Sequence, residues 1–146
     1  MSTFHPQTPS KCPPKDAESP NGTYFRIVIN NPPISGDFAI WVEEPYNCHK
    51  LQEKMKKGDC QAFAASMFTT EVETLRIIDI FRPAWRKRTI LYGDGFIGIA
   101  QVDLDSSSGV IKQTGQNPHH YDLWPYVNSK LECNVISVKE VPTCYQ

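Results

Sequence analysis

Two histidines, a carboxylate and three aromatic rings crowd into one short stretch, Asn117-Pro118-His119-His120-Tyr121-Asp122-Leu123-Trp124-Pro125-Tyr126. Imidazole exchanges protons near neutrality and a neighbouring carboxylate can orient it. His119, His120 and Asp122 are therefore the candidates for acid–base chemistry. The flat faces of Tyr121, Trp124 and Tyr126 offer apolar contact, with His120 and Asp122 fixing a ligand's orientation. Carbohydrate rings and flat organic molecules suit such a surface. Consecutive side chains on extended backbone point to opposite sides, so His119 and His120 are not expected to meet at one atom. The plainer use of the stretch is structural, with Trp124 and a tyrosine plugging one end of the fold and the histidines solvated.

A second stretch, Phe81-Arg82-Pro83-Ala84-Trp85-Arg86-Lys87-Arg88, interleaves rings with cations. Residues 50–88 hold nine Lys and Arg against five Asp and Glu. Arg82, Trp85, Arg86, Lys87 and Arg88 could grip single-stranded nucleic acid by stacking and phosphate contact. An acidic protein or an anionic head group would fit equally well. The structural alternative is a connector whose Trp85 packs inward while its cations keep an edge strand from pairing.

Other chemistry has thinner support. Metal binding would need ligands brought from afar, with His49 or Asp103 as guesses, and no metal site is expected. Asp103-Leu104-Asp105-Ser106-Ser107-Ser108-Gly109 resembles a calcium loop only loosely, since its glycine falls late and no downstream Glu follows at the required distance. Gly-x-Ser-x-Gly, His-Glu-x-x-His and phosphate-loop patterns do not occur, and no cofactor is implied. Of five cysteines, Cys48 and Cys60 bracket a short segment and would bridge in an oxidising compartment. Reduced, partly buried thiols are the favoured reading. Asn21-Gly22-Thr23 has the form of a glycosylation acceptor.

The elements that must position these groups follow from patterning. The 146 residues are 40% hydrophobic with a net charge of -1, enough for one domain with a real core and too neutral for binding by bulk positive charge. No apolar run spans a bilayer and Met1 to Pro6 lack a secretory signal. The chain reads as soluble and cytoplasmic, or secreted if a leader was removed. Five of twelve prolines fall in residues 1–22, predicting an extended or disordered tail ahead of a single β-rich domain over 23–146.

Strands are expected at 23–29, at 37–42 where Phe38, Ile40 and Val42 alternate, at 110–113 and at 131–141. A short helix is expected at about 47–57, capped by Asn47 and closed by Gly58. Residues 60–82 carry both signals: Thr70-x-x-Glu73 could be a capping box, yet the isoleucines favour two strands. Thr89 to Tyr92, Gly93-Asp94-Gly95 and Phe96 to Val102 read as a hairpin. The sum is a mainly β fold, an antiparallel sandwich or small barrel with one short helix.

Three functions follow in order of preference. The first is a non-enzymatic recognition domain holding a small ligand, glycan or protein at 117–126. The second is a small β-barrel enzyme (isomerase, cyclase or hydrolase) using the His/Asp/Tyr set. The third is single-stranded nucleic acid binding through 81–88.

Overall fold

The computed structural model describes residues 3–44, 53 and 57–142, so the helix expected at 47–57 lies almost wholly outside the described residues. Six strands form one antiparallel sheet: β1 (Gly22–Val28), β2 (Ala65–Phe68), β3 (Gly98–Leu104), β4 (Gly109–Gln113), β5 (His120–Pro125) and β6 (Val135–Glu140). Their spatial order is β4-β5-β2-β1-β3-β6. The sheet is open, with β4 and β6 at its edges, so the expected sandwich or closed barrel gives way to a single layer with helices packed on one face.

Those helices are α1 (Glu71–Ile80) and α2 (Arg82–Tyr92), and both overturn strand expectations. The Thr70 hydroxyl accepts from Glu73 N–H at 3.1 Å, so the capping signal decides this segment. Glu71 and Glu73 lie in the first turn, where the helix dipole favours acids. Thr74, Ile77 and Ile78 then fall on one side, and the two isoleucines pack on Phe25, Ile27 and Phe68. Burial of that stripe outweighs the weak helix propensity of isoleucine. Pro83 sits in the first turn of α2, where its missing N–H has no partner to lose. Thr89 to Tyr92 is the last turn of α2 and not a hairpin strand. The Gly93 and Gly95 N–H groups both close on Thr89 O at 3.1 Å.

Residues 37–42 depart from expectation too. Asp37 accepts Ile29 N–H at 2.8 Å and Ile34 N–H at 2.9 Å, which curls the chain into 3-10 turns at Ser35–Phe38 and Trp41–Glu43. Phe38 and Ile40 are buried as the alternation demands, without a ladder.

The sheet has apolar residues on both faces. Val28, Met67, Ala100, Val102, Leu104, Ile111 and Leu123 pack with Phe38 and Leu131. Ile27, Phe68 and Ile99 pack on the opposite side with Ile78. A third cluster gathers Trp124, Ile40, Ala62, Phe63 and Ala64. The pairing of β4 with β5 depends on Gly109, which opposes Pro125, has a φ of +146° and is where a Cβ would run into the Trp124 carbonyl. Gly109→Ala should therefore lose at least ~2 kcal/mol in urea unfolding. A variant as stable as the parent would contradict this geometry.

The proline-rich segment runs in turns against the body of the protein. Glu18 exchanges two backbone hydrogen bonds with Ile111, Phe4 lies against Tyr126, and Cys12 is bonded to Cys60. Cys60 therefore does not pair with Cys48, and the reading of reduced thiols fails for this pair. The thiols sit 48 positions apart, a separation that spacing along the chain cannot suggest. Cys133 is a free, exposed thiol, and Cys48 and Cys144 lie outside the described residues.

Candidate functional site

Period-2 alternation along β5 sorts the residues of the 117–126 stretch. Residues 120–125 are a strand, not a loop, so they divide between the two faces of the sheet. Leu123 and Tyr121 join the core on one side, Tyr121 meeting Tyr24 edge-on at 5.9 Å. Burial, with Tyr121 adding to it, raises the Tyr24 hydroxyl above its ordinary value. His120 and Asp122 occupy the other side. Trp124 is wholly buried, its indole N–H donating to the Cys60 carbonyl at 2.8 Å. Tyr126 stacks on Phe4 at 5.2 Å beside a separate hollow. The three rings thus go to three places.

His119 turns to Thr69, its Nδ1 lying 2.8 Å from Thr69 Oγ1. It leaves the site to His120. Nearby, the Arg76 guanidinium, aided by an Asn117 hydrogen bond, holds the Glu73 carboxyl below its usual value.

What His120 and Asp122 face is a cleft of about 450 Å³. Its floor includes Ser66 and Phe68 of β2 with His120 and Asp122 of β5, brought side by side by the register Ser66↔Asp122 and Phe68↔His120. Ile77 of α1, Phe81, and Ala84, Trp85 and Arg88 of α2 line it, as do Trp41, Glu44, Gln61 and Ala64. The two stretches singled out in the sequence therefore share one cavity. Arg88 lies over the Trp85 ring at 4.6 Å. Arg86 and Lys87 fall on the exposed side of α2, and Arg82 pairs with Asp79.

Arg26 reaches the cleft through an opening in the sheet. β1 and β2 make a single ladder pair, Phe25 with Phe68. Beyond it the Arg26 guanidinium donates to the carbonyls of Ser66 at 2.9 Å, Asp37 at 2.9 Å and Ala39 at 3.2 Å. These bonds hold the buried guanidinium against the Ser66 backbone.

A chain of hydrogen bonds runs under the floor. Thr114 Oγ1 donates to Asp122 Oδ2 at 2.9 Å and lies 3.0 Å from His120 Nδ1, while His120 Nε2 lies 3.0 Å from Ser66 Oγ. Asp122 Oδ1 is 3.8 Å from Nε2. Among the described residues no three His, Cys, Asp or Glu side chains gather to hold a metal ion. No described helix is long and apolar enough to cross a membrane.

No protein-family model, curated protein or solved structure matches this chain. The chemistry of the cleft rests on its own geometry. Ser66, Thr114 and Arg26 escape a reading of the sequence because hydroxyls are common and only the β2–β5 register brings these to the histidine. One signal was available. Had 120–125 been assigned to a strand, alternation alone would have put His120 and Asp122 on a shared face.

Proposed function

We propose that this chain binds a small molecule in the cleft between α2 and the β2–β5 floor, one carrying a flat apolar portion and a polar group. The observation that carries this reading is the convergence of Trp41, Phe68, Phe81 and Trp85 with His120 and Asp122 around one volume of about 450 Å³. Ligand sites commonly enclose roughly 300–1,000 Å³ and pair apolar walls with a few directional polar groups. Arg26 and Arg88 are balanced by Glu44 and Asp122 in the lining, so a ligand neutral overall is the best match. This keeps the small-ligand function and relocates its contacts. Trp85 and Phe68 take the apolar role first given to Tyr121, Trp124 and Tyr126, while His120 and Asp122 keep theirs. The disulfide supports an oxidising compartment for the working protein over a cytoplasmic one.

Indole and phenol, used as probes at millimolar concentration, should shift the NMR resonances of Trp85 and His120 together. Trp85→Ala should weaken that response at least roughly fivefold, since an aromatic contact contributes about 1 kcal/mol beyond area burial. Shifts scattered over the surface, or unchanged in the variant, would defeat the proposal.

The linked hydroxyl and imidazole on the cleft floor favour a second reading, an enzyme of the hydrolase type.

A further inference from the structure

We infer that Ser66 is a nucleophile activated by His120, and that the cleft cleaves carboxylic esters of the flat molecules it binds. This rests on the reading of the cleft as a small-molecule site and adds a reaction to it.

The hydrogen-bond chain decides where the imidazole proton sits. His120 Nδ1 lies 3.3 Å from the Thr114 carbonyl, which can only accept. It also lies 3.0 Å from Thr114 Oγ1, whose single hydrogen goes to Asp122 Oδ2. Both contacts require Nδ1 to carry the hydrogen. In the neutral ring Nε2 then presents a lone pair, and the group 3.0 Å away is the Ser66 hydroxyl, which must donate. That is the arrangement in which a histidine withdraws a proton from a serine. Once the proton moves, Nε2–H lies 3.8 Å from Asp122 Oδ1, a buried carboxylate beside the new imidazolium. Thr114 occupies the place of a direct carboxylate contact to Nδ1, and Asp122 acts through it.

A closed polar network could make the same bonds for structure alone, and it would have no need to face a cavity. Ser66 and His120 are half-buried and both line the cleft. Arg26 completes the set. Three of its five N–H groups are spent on carbonyls, one of them that of Ser66 itself, and it lines the same cleft, so it is the cation available to an oxyanion formed there.

The step balances with water as the only co-reactant. Ser66 Oγ attacks the ester carbonyl carbon as its proton passes to His120 Nε2, and the carbonyl oxygen takes the negative charge. Collapse breaks the bond to the alcohol oxygen, which leaves with the proton from Nε2. Water, deprotonated in turn by Nε2, attacks the acyl carbon, and the acyl–Oγ bond breaks as Oγ takes that proton back from Nε2, releasing the acid and restoring Ser66 and His120.

Diisopropyl fluorophosphate tests this without knowledge of the natural ester. Ser66 Oγ should displace fluoride, and the added phosphoryl group should map by mass spectrometry to the peptide containing Ser66. Ser66→Ala should abolish the label, and His120→Gln should slow it ~100-fold, the usual contribution of a general base. Thermal unfolding and indole binding are measured on each variant, and Ser66→Ala removes only one hydroxyl. If the folded parent binds indole yet takes no label at Ser66, or His120→Gln labels at the parent rate while folded, the nucleophile is refuted and the binding cleft stands. If indole does not bind but Ser66 is labelled in a His120-dependent way, the ligand class is wrong and the nucleophile stands.

Discussion

Trp124→Ala should lower the stability of this protein by about 4 kcal/mol, within the range for removing a buried aromatic side chain. The indole is 1% exposed and packs in a cluster with Ile40, Ala62, Phe63 and Ala64. Its N–H satisfies the Cys60 carbonyl, which alanine would leave without that donor. The surrounding residues belong to a strand and to turns held by a disulfide, so the site can collapse only in part. Urea unfolding should show the loss as a lower midpoint, and the melting temperature should fall by roughly 10 °C. Trp85→Ala offers the contrast. Its ring stands half-exposed in the cleft wall, and less than ~1.5 kcal/mol should be lost. If the order of the two losses were reversed, the assignment of Trp124 to the core and Trp85 to the ligand would fall together.

Replacing Cys12 and Cys60 together by serine should have an effect of comparable size. Closing a loop with a separation of 48 residues restricts the unfolded chain by about 4 kcal/mol in the chain-entropy picture, and measured effects run from roughly 2 to 4. The loss should also be local. Without the bond the N-terminal segment still has its pairing with Ile111, the Asp16–Lys112 ion pair, and the contacts of Phe4 with Tyr126 and of His5 with Phe63, but no covalent tie to the body of the protein. Amide exchange at Glu18 and Ile111 should accelerate more than exchange in β1 or β3. Adding a reductant to the parent should reproduce the double variant's unfolding midpoint, and a reductant with no effect would show that the bond contributes little. Gln61 and Ala64 line the cleft within four residues of Cys60, so the double variant should also bind indole more weakly.

How far the sequence revealed this fold varies along the chain. β1, β4 and β6 lie where β-branched and aromatic residues fall between turns, and Ser106 to Gly109 makes the turn its composition implies. Residues 70–92 went the other way because two codes overlap there. Isoleucine favours strands, but Thr74, Ile77 and Ile78 have a helical spacing that puts all three toward the sheet, and Thr70 supplies the cap. Each preference is worth a few tenths of a kcal/mol per residue, while a buried isoleucine is worth about 2, so packing decides.

The candidate site shows the same division. His120, Asp122, Trp85 and Arg88 stand out by residue type, and the cleft uses all four. Tyr121, Trp124 and Tyr126 stood out equally and are used elsewhere: strand alternation turns Tyr121 to the opposite face, Trp124 is covered by the turn at Cys60, and Tyr126 lies past the strand end against Phe4. Ser66 and Thr114 carry no local mark.

By itself, then, the chain's composition and local patterning determined a mainly antiparallel β protein and the residue types able to do chemistry in it. The tertiary structure alone decided which of them meet: the Cys12–Cys60 bond, the helical α1–α2 wall, and the line from Asp122 through Thr114 and His120 to Ser66. The reason is physical. Backbone preferences act over a few neighbours, whereas hydrogen bonds and burial act through space, between residues that strand register and packing bring together from 54 positions apart.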